Sequence, residues 1–248
     1  MPEVDAVDIG LLIPEWPAPS RVRAWQTLRT GGYSSAPWAG FNLGDHVGDD
    51  PLRVAANRAA LRGCLPAEPC WLRQVHGTLT VDAGKAQNFP EADASWTRSP
   101  GVVCVVMTAD CLPVLFCDRQ GTVVAAAHAG WRGLLGGVLE STVAAMTCAP
   151  GNLLAWFGPA IGPEAFEVGD EVRIAFVKDS PAAAGAFVPA AKGKWLADLG
   201  ALARQRLNRL GVTAIYGGGE CTYHDSARYF SYRRDGQTGR MATLICLE

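Results

Sequence analysis

The sequence lacks any apolar run of the roughly 20 residues that a membrane-spanning helix needs. The apolar run at residues 102–106 has only the length of a strand. It also lacks a surplus of either charge, since 22 Lys and Arg residues face 24 Asp and Glu residues for a formal net charge of −2. A chain without a basic surplus is not expected to bind nucleic acid or an anionic membrane.

An export signal is also missing from the sequence. The opening segment, MPEVDAVDIG, is acidic and has no basic stretch before an apolar one, so no signal peptide is expected. We therefore expect a cytoplasmic protein. We also expect it to be a monomer or a weak homo-oligomer.

Low-complexity tracts and internal repeats are absent as well. The stretch 180–193 is rich in Ala, Pro and Gly, but it is too short to mark a domain boundary. Apolar residues make up 49% of the chain and charged residues 19%, which is typical of a globular protein. We predict a single domain over residues 1–248.

Cysteine, in contrast, is plentiful. The chain contains eight cysteines, an even number that disulfides could pair. However, the chain is long, no export signal precedes it, and several cysteines stand in apolar, strand-like runs where a free thiol acts as a small hydrophobic group. Reduced cysteines are therefore expected.

Periodicity and capping signals predict a mixture of helices and strands. Asp50 and Pro51 begin a helix over residues 51–62, which Gly63 ends. Residues 101–107 (GVVCVVM) form a continuous β-branched run, typical of a strand covered on both faces. The other predicted strands are residues 71–77, 112–117, 122–127, 153–157, 212–216 and 242–247, and the other predicted helices are residues 131–146, 170–178 and 196–210. Because strands and helices do not alternate strictly, we predict an α/β (α+β) fold of layered mixed sheets flanked by helices.

Two of the four histidines stand with one cysteine where predicted strands give way to loops. His76 lies at the exit of strand 71–77, Cys111 just after the run 101–107, and His128 at the end of strand 122–127. Such positions are exposed yet held by a rigid scaffold. Two imidazoles and one thiolate are also a ligand set for catalytic zinc, which keeps a fourth position open. The spacing is wide, and no C-x-x-C or H-E-x-x-H pattern sharpens this hypothesis.

The same residues fit two other interpretations. Cys111 and His128 could form a nucleophile and its base, aided by the dipole of the helix that follows His128. Alternatively, Cys111 is a buried thiol and the histidines are hydrogen-bonded core residues. The residues alone leave all three interpretations open.

A cation follows His128 by four residues. Arg132 falls in the first turn of the predicted helix, where the helix dipole disfavours a positive charge. Binding of an anion or a polar substrate is one interpretation, and a solvated surface arginine is the other. His46 is interpreted as a turn residue and His224 as a surface residue.

Six segments together resemble the YfiH-type, laccase-domain family and cover the chain from about residue 29 to residue 247. These segments are RTGGYSSAPWAGFNLGDHVGDDP, RQVHGT, EADASWTRSPGVVCVVMTADCLPVLF, VAAAHAGWRG, GPAIGPEAFEVGDEV and CTYHDSARYFSYRRDGQTGR. Members of the family are named polyphenol oxidase, purine nucleoside phosphorylase or peptidoglycan editing factor. The resemblance implies layered mixed sheets, in a fold related to cysteine-hydrolase-like toxins.

The resemblance also implies a site and an activity. The histidine of RQVHG, the cysteine of TADC and the histidine of HAGWRG bind the family's metal, which implies His76, Cys111 and His128 as metal ligands and catalytic residues. The implied reactions are zinc-dependent phosphorolysis of adenosine, inosine and methylthioadenosine, and hydrolytic deamination of adenosine, for which zinc can activate water. From the family motifs and from their charge or hydrogen-bonding capacity, the expected substrate-binding residues are Arg29, Asn42, Gln74, Arg132 and Arg234.

Several alternatives remain beside this function. The H-x-E and P-C-x-x-C motifs of zinc nucleobase deaminases are absent, so deamination needs another proton carrier. Four histidines are too few for a multicopper laccase, although copper competes well for such ligands and a copper-dependent polyphenol oxidase remains an alternative. The others are a hydrolase that edits a peptidoglycan precursor with Cys111 and His128, and a non-enzymatic sensor or cell-division protein whose fold the metal orders.

Overall fold

The computed structural model describes residues 9–87 and 89–248 of the chain. The segment considered for a signal peptide lies outside the described residues except for its last two. The helices are α1 (Pro51–Arg62), α2 (Trp131–Gly136), α3 (Val138–Ala145), α4 (Asp170–Asp179), α5 (Leu199–Leu210) and α6 (Tyr232–Asp235). The strands are β1 (Leu11–Leu12), β2 (Val22–Thr27), β3 (Pro69–Cys70), β4 (Thr80–Asp82), β5 (Ala94–Thr97), β6 (Val103–Thr108), β7 (Leu112–Asp118), β8 (Val124–Ala129), β9 (Leu153–Phe157), β10 (Glu167–Gly169), β11 (Phe187–Pro189), β12 (Lys194–Ala197), β13 (Ala214–Gly217) and β14 (Met241–Leu247).

The strands form three sheets. A five-stranded sheet has the order β1-β2-β14-β6-β3, and a six-stranded sheet has the order β13-β9-β7-β8-β5-β4. Both are mixed, because antiparallel central strands are joined by parallel pairs at the edges (β3 with β6, β13 with β9, and β4 with β5). The third sheet, β10-β12-β11, is small and antiparallel.

The two large sheets pack face to face and are covered by helices on their outer faces. Between them, Val106 of β6 and Ile245 of β14 belong to one apolar cluster with Leu115 of β7. Leu61 of α1 packs on the outer face of the five-stranded sheet, and α3, α4 and α5 pack on the outer face of the six-stranded sheet. All residues of β6, β7 and β8 are therefore buried, as expected for strands covered on both faces. This mixed α/β architecture confirms the predicted fold class.

The predicted strand at residues 71–77 is wrong. The strand at this place, β3, ends at Cys70, and His76 lies in a loop with a φ of 60°. The backbone N–H groups of Val75, His76 and Gly77 donate to the carboxylate of Asp93 instead of to a neighbouring strand. A side chain thus replaces the strand partner, which periodicity does not reveal.

Two predicted helices have different bounds. The helix predicted at residues 131–146 is split into α2 and α3 by Gly137, whose φ of 103° is left-handed. The helix predicted at residues 196–210 begins only at Leu199, because Asp198 caps it and the preceding residues pair as β12. By contrast, α1 begins and ends as predicted, with the Asp50 carboxylate accepting from the N–H of Leu52.

The stretch 180–193, rich in Ala, Pro and Gly, contains a short 3₁₀ helix (Pro181–Ala186) and strand β11. Among the described residues, no helix combines the length and the apolar character that crossing a bilayer requires.

Candidate metal centre and cavity

Neighbouring strands bring two of the predicted ligands to one end of the six-stranded sheet. Cys111 immediately precedes β7, and His128 is the next-to-last residue of β8. The strands are antiparallel, with Pro113 opposite His128, so the beginning of β7 lies beside the end of β8. The loop after β3 adds His76 to the same place.

The three side chains form one compact group, here called the ligand trio (His76, Cys111 and His128). Their ligand atoms lie within 4.8 Å of one another. Sγ of Cys111 is 3.7 Å from Nε2 of His76, and the two imidazole rings meet edge to face with centroids 4.8 Å apart. His128 is buried, Cys111 is half-buried and His76 is exposed, so the trio opens to solvent on one side.

Glycines on and next to α2 make room for the trio. A Cβ on Gly130 would lie 2.7 Å from Cδ2 of His76 and 2.9 Å from Sγ of Cys111. A Cβ on Gly133 would lie 2.8 Å from the carbonyl oxygen of Gly77. These distances are shorter than real contacts between atoms. The start of α2 can therefore pack against the loop that carries His76 only because residues 130 and 133 are glycines.

Asp93, which the sequence analysis missed, links two members of the trio. Its Oδ1 lies 2.7 Å from Nδ1 of His128, and its carboxylate also accepts the three N–H groups of the His76 loop. Burial would raise the pKa of Asp93, but the hydrogen bond and charge of His128, with the N–H groups of Gly77 and Val75, hold this pKa below its usual range. The only signal in the sequence is its place in EADASW, between two ligand segments.

The electrostatics of the metal-free trio favour a thiolate. Burial alone would raise the pKa of the Cys111 thiol, but the charge of His128 and hydrogen bonds from both imidazoles lower it to about 6. Burial would lower the pKa of His128, yet the charge of Cys111 and the hydrogen bond to Asp93 raise it to about 9. A thiolate beside an imidazolium is both a ready nucleophile and a ready metal ligand.

The trio stands in the wall of a cavity of about 550 Å³. Besides the trio, its lining comprises polar or charged residues (His46, Gln74, Thr108, Asp110, Arg132, Arg233, Arg240), aromatic residues (Trp131, Phe166, Tyr232) and apolar residues (Met107, Ala109, Ile161). A volume of this size is ordinary for a small-molecule site.

Three arginines line this cavity and are here called the cavity arginines (Arg132, Arg233 and Arg240). None of them forms a salt bridge with a carboxylate among the described residues. Asp110, the carboxylate in the same wall, accepts a hydrogen bond from Thr222 on one oxygen and from the N–H of Arg233 on the other. The cavity therefore carries positive charge that suits an anionic ligand.

Comparison with known proteins places this chain in a family. The model of the multi-copper polyphenol oxidoreductase laccase family matches residues 23–248. A purine nucleoside phosphorylase of Pseudomonas aeruginosa is 57% identical over 96% of this chain and 98% of its own, and the purine nucleoside phosphorylase YfiH of Escherichia coli is 54% identical with the same coverage. The chain belongs to this laccase-like YfiH family.

Solved structures of the YfiH family share its architecture. A Neisseria meningitidis protein has a TM-score of 0.94 at 52% identity, and the alignment covers 96% of this chain and 99% of that one. YlmD from Geobacillus stearothermophilus has a TM-score of 0.87 at 33% identity, with 96% of each chain covered.

Two of the substrate-binding residues predicted from the YfiH family motifs line the cavity. Arg132 lies in the wall with its guanidinium 4.4 Å from the ring centroid of Trp131. Gln74 also lines the wall, but its amide is bound on both sides by the backbone of Met107. His46, predicted as a turn residue, lines the cavity too, whereas His224 is exposed elsewhere.

The structure does not bring the other three predicted substrate-binding residues to this cavity. Arg29 donates to the carbonyl oxygens of Ala39 and Ser226, and Arg234 donates to three backbone carbonyls. Asn42 is fully buried, and its amide holds the local turn and Asp49. The polar atoms of these three residues thus hold loops together. The cavity wall instead contains three residues that were not predicted from the sequence, Tyr232, Arg233 and Arg240, all in the segment YRRDGQTGR.

The residues at this place fit a metal ion of the kind the YfiH family implies. Two imidazole nitrogens and a thiol sulfur lie within 4.8 Å of one another, close enough to bind one ion. Gly130, which has no side chain, leaves the space beside them open. Asp93 supplies the carboxylate partner that a metal-binding histidine usually has.

Proposed function

We propose that this chain is a zinc-dependent purine nucleoside phosphorylase acting on adenosine, inosine and methylthioadenosine, and that it also deaminates adenosine hydrolytically. One observation carries the proposal: a single cavity combines the ligand trio, cations without carboxylate partners and three aromatic rings. Bacterial relatives that are named purine nucleoside phosphorylase support the phosphorylase part of this proposal.

In this proposal His76, Cys111 and His128 hold the zinc ion. A thiolate and two imidazoles are borderline-soft donors that suit zinc, and three protein ligands leave one position for water or substrate. When bound, zinc would supply Lewis acidity at the cavity wall.

The protein side chains supply the rest of phosphorolysis. A phosphate oxygen forms a bond to C1′ of the ribose, the C1′–N9 bond breaks, and its electron pair leaves with the purine, which takes up a proton. The cavity arginines orient phosphate and offset its charge near an electron-poor sugar. Trp131, Phe166 and Tyr232 offer apolar surface for the purine ring.

The decisive experiment incubates the purified protein with inosine and phosphate and measures hypoxanthine, ribose 1-phosphate and metal content. We expect about one zinc per chain. In Cys111→Ala, kcat should fall by more than about 100-fold, since even losing an outer-shell partner of a metal costs about 10- to 100-fold. Cys64→Ala, at an exposed cysteine outside the lining of this cavity, is the matched control. Undiminished phosphorolysis by metal-free protein would overturn the proposal.

A second candidate function follows from the lowered pKa of Cys111. A thiolate beside His128 is also the arrangement of a cysteine hydrolase, which could edit a peptidoglycan precursor by removing a wrongly incorporated residue. Nucleotide-linked muramyl-serine and inosine, assayed side by side, separate the two functions, because turnover of the precursor alone favours editing. Copper-dependent oxidation is not proposed, since the described residues hold one such ligand group rather than a multi-metal cluster.

A further inference from the structure

Asp93 lies between the two histidines of the trio and is bonded to both ligand segments. We propose that Asp93 is a positioning residue that holds His76 and His128 at the same time and thereby sets the affinity of the site for its metal. This inference rests on the metal site proposed above.

The first half of the arrangement concerns His128. An ionised carboxylate only accepts hydrogen bonds, so the contact of 2.7 Å between Oδ1 and Nδ1 places the imidazole proton on Nδ1. In the neutral ring, Nε2 of His128 then carries the lone pair that a metal would take. The ring cannot rotate without losing a bond to a group that is itself fully buried.

The second half concerns His76. The Asp93 carboxylate accepts from three consecutive backbone N–H groups, those of Val75 (3.2 Å), His76 (3.0 Å) and Gly77 (2.6 Å). Three successive N–H groups converging on one anion form a tight concave turn. In this turn His76 has a φ of 60°, a conformation uncommon for residues other than glycine. Without the anion, we expect the turn to relax and His76 to leave the trio.

The four accepted bonds use the whole capacity of one carboxylate. Oδ1 accepts from His128 and from the N–H of His76, while Oδ2 accepts from Val75 and Gly77. A carboxylate has about four lone-pair sites, so none is left over. An asparagine would replace one of the two oxygens with an NH₂ donor. At the Oδ2 position this NH₂ would face the N–H groups of Val75 and Gly77, and at the Oδ1 position it would face the N–H of His76 and the ring of His128. Asp93→Asn should therefore release one ligand segment, and Asp93→Ala should release both.

The test compares metal affinity in Asp93→Asn, Asp93→Ala and a matched control. Asp118 is also a buried aspartate whose carboxylate accepts backbone N–H groups, but it holds the turn at the far end of β7 and β8. Zinc dissociation constants come from chelator competition, and absorption spectra of the cobalt(II)-loaded proteins report ligand number. Asp93→Asn should bind zinc about 10- to 100-fold more weakly than the parent, and Asp93→Ala more weakly still, while Asp118→Asn stays within about twofold. Unchanged affinity in Asp93→Asn would overturn the inference, as would an equal loss in Asp118→Asn.

Hydrogen exchange on the unmodified, metal-free protein gives a second measurement that needs no variant to fold. The amides of His76 and Gly77 lie in a loop, yet they should exchange slowly because a buried carboxylate binds them. Fast exchange of both amides would overturn the positioning role. A parent protein that binds no zinc but protects these amides would instead refute the proposed metal function and leave the role of Asp93 in the loop intact.

Discussion

Gly130 lies directly against Cys111, so closely that a methyl group on the glycine would approach Sγ to 2.9 Å. The backbone of Gly130 has φ −63° and ψ 156°, which alanine adopts freely. Gly130→Ala should therefore disturb the ligand trio through contact alone. Overpacking of this kind costs about 1–3 kcal/mol, so zinc affinity measured by chelator competition should fall by about tenfold or more.

Gly151→Ala is the matched control for this substitution. Within the described part of the chain, no atom lies within 4 Å of a Cβ built on Gly151, and the residue stands in a 3₁₀ helix distant from the trio. Equal zinc affinities of the two variants would contradict the steric explanation.

The three residues of the trio were predictable because they stand near the ends of apolar runs. Sheets bring the ends of neighbouring strands together, so Cys111 and His128 meet through local pairing alone. Their spacing left a metal site, a nucleophile pair and a structural thiol open as interpretations, and the family motifs favoured the first. His76 was predicted at a strand exit but reaches the trio from a turn held by Asp93.

The remaining parts of the site depend on contacts between distant segments. Asp93 looks like any acidic residue in sequence, and only its burial under the 75–77 loop distinguishes it. Likewise, Arg29 and Arg234 carry the same charge as the cavity arginines, but neither lines the cavity, and sequence patterns do not reveal which arginines do. Charge and motif membership therefore identified candidate residues without telling which would face the cavity.

Alkylation of the metal-free protein tests the state of Cys111. Its lowered pKa, about 6, predicts that the thiolate fraction rises as pH increases through 6 and is nearly complete at pH 7.5, whereas an ordinary cysteine titrates near 8.5. Reaction of Cys111 with iodoacetamide, followed by peptide mass spectrometry, should therefore reach its plateau by about pH 7.5. A rate that keeps rising up to pH 8.5 would contradict the lowered pKa. Added zinc should slow the reaction of Cys111 and leave that of the exposed Cys64 unchanged.

Arg132 is the cavity arginine that stands in the first helical turn beside the trio. Its guanidinium stacks on Trp131 and has no hydrogen-bond acceptor among the described residues, which leaves it free for phosphate. Because a hydrogen bond to a charged group contributes about 1.5 kcal/mol or more, Arg132→Ala should raise the KM for phosphate by about tenfold. The KM for inosine should change little. Arg209→Ala is the control. Arg209 lies on α5 and pairs with Asp179, so its removal should leave both constants unchanged.

The carboxylate of Asp118 links stability to pH at the end of the sheet remote from the trio. Burial would raise the pKa of Asp118, but hydrogen bonds from the hydroxyl and N–H of Thr122 and the N–H of Val123 lower it. A group whose pKa is lower in the folded than in the unfolded state stabilises the fold above its unfolded pKa, near 3.9, and loses this effect as pH falls through the folded value. Asp118→Asn should therefore reduce the free energy of unfolding by about 1–3 kcal/mol at pH 7.

The difference between parent and Asp118→Asn should shrink as the pH falls below about 4, because the parent carboxylate then becomes protonated while the amide does not titrate. Urea unfolding at a series of pH values between 7 and 2.5 measures this difference. Glu164→Gln removes the same charge from an exposed position and should leave the stability nearly unchanged across the series. A parent-to-variant difference that stays constant down to pH 2.5 would show that Asp118 holds its turn by shape rather than by charge.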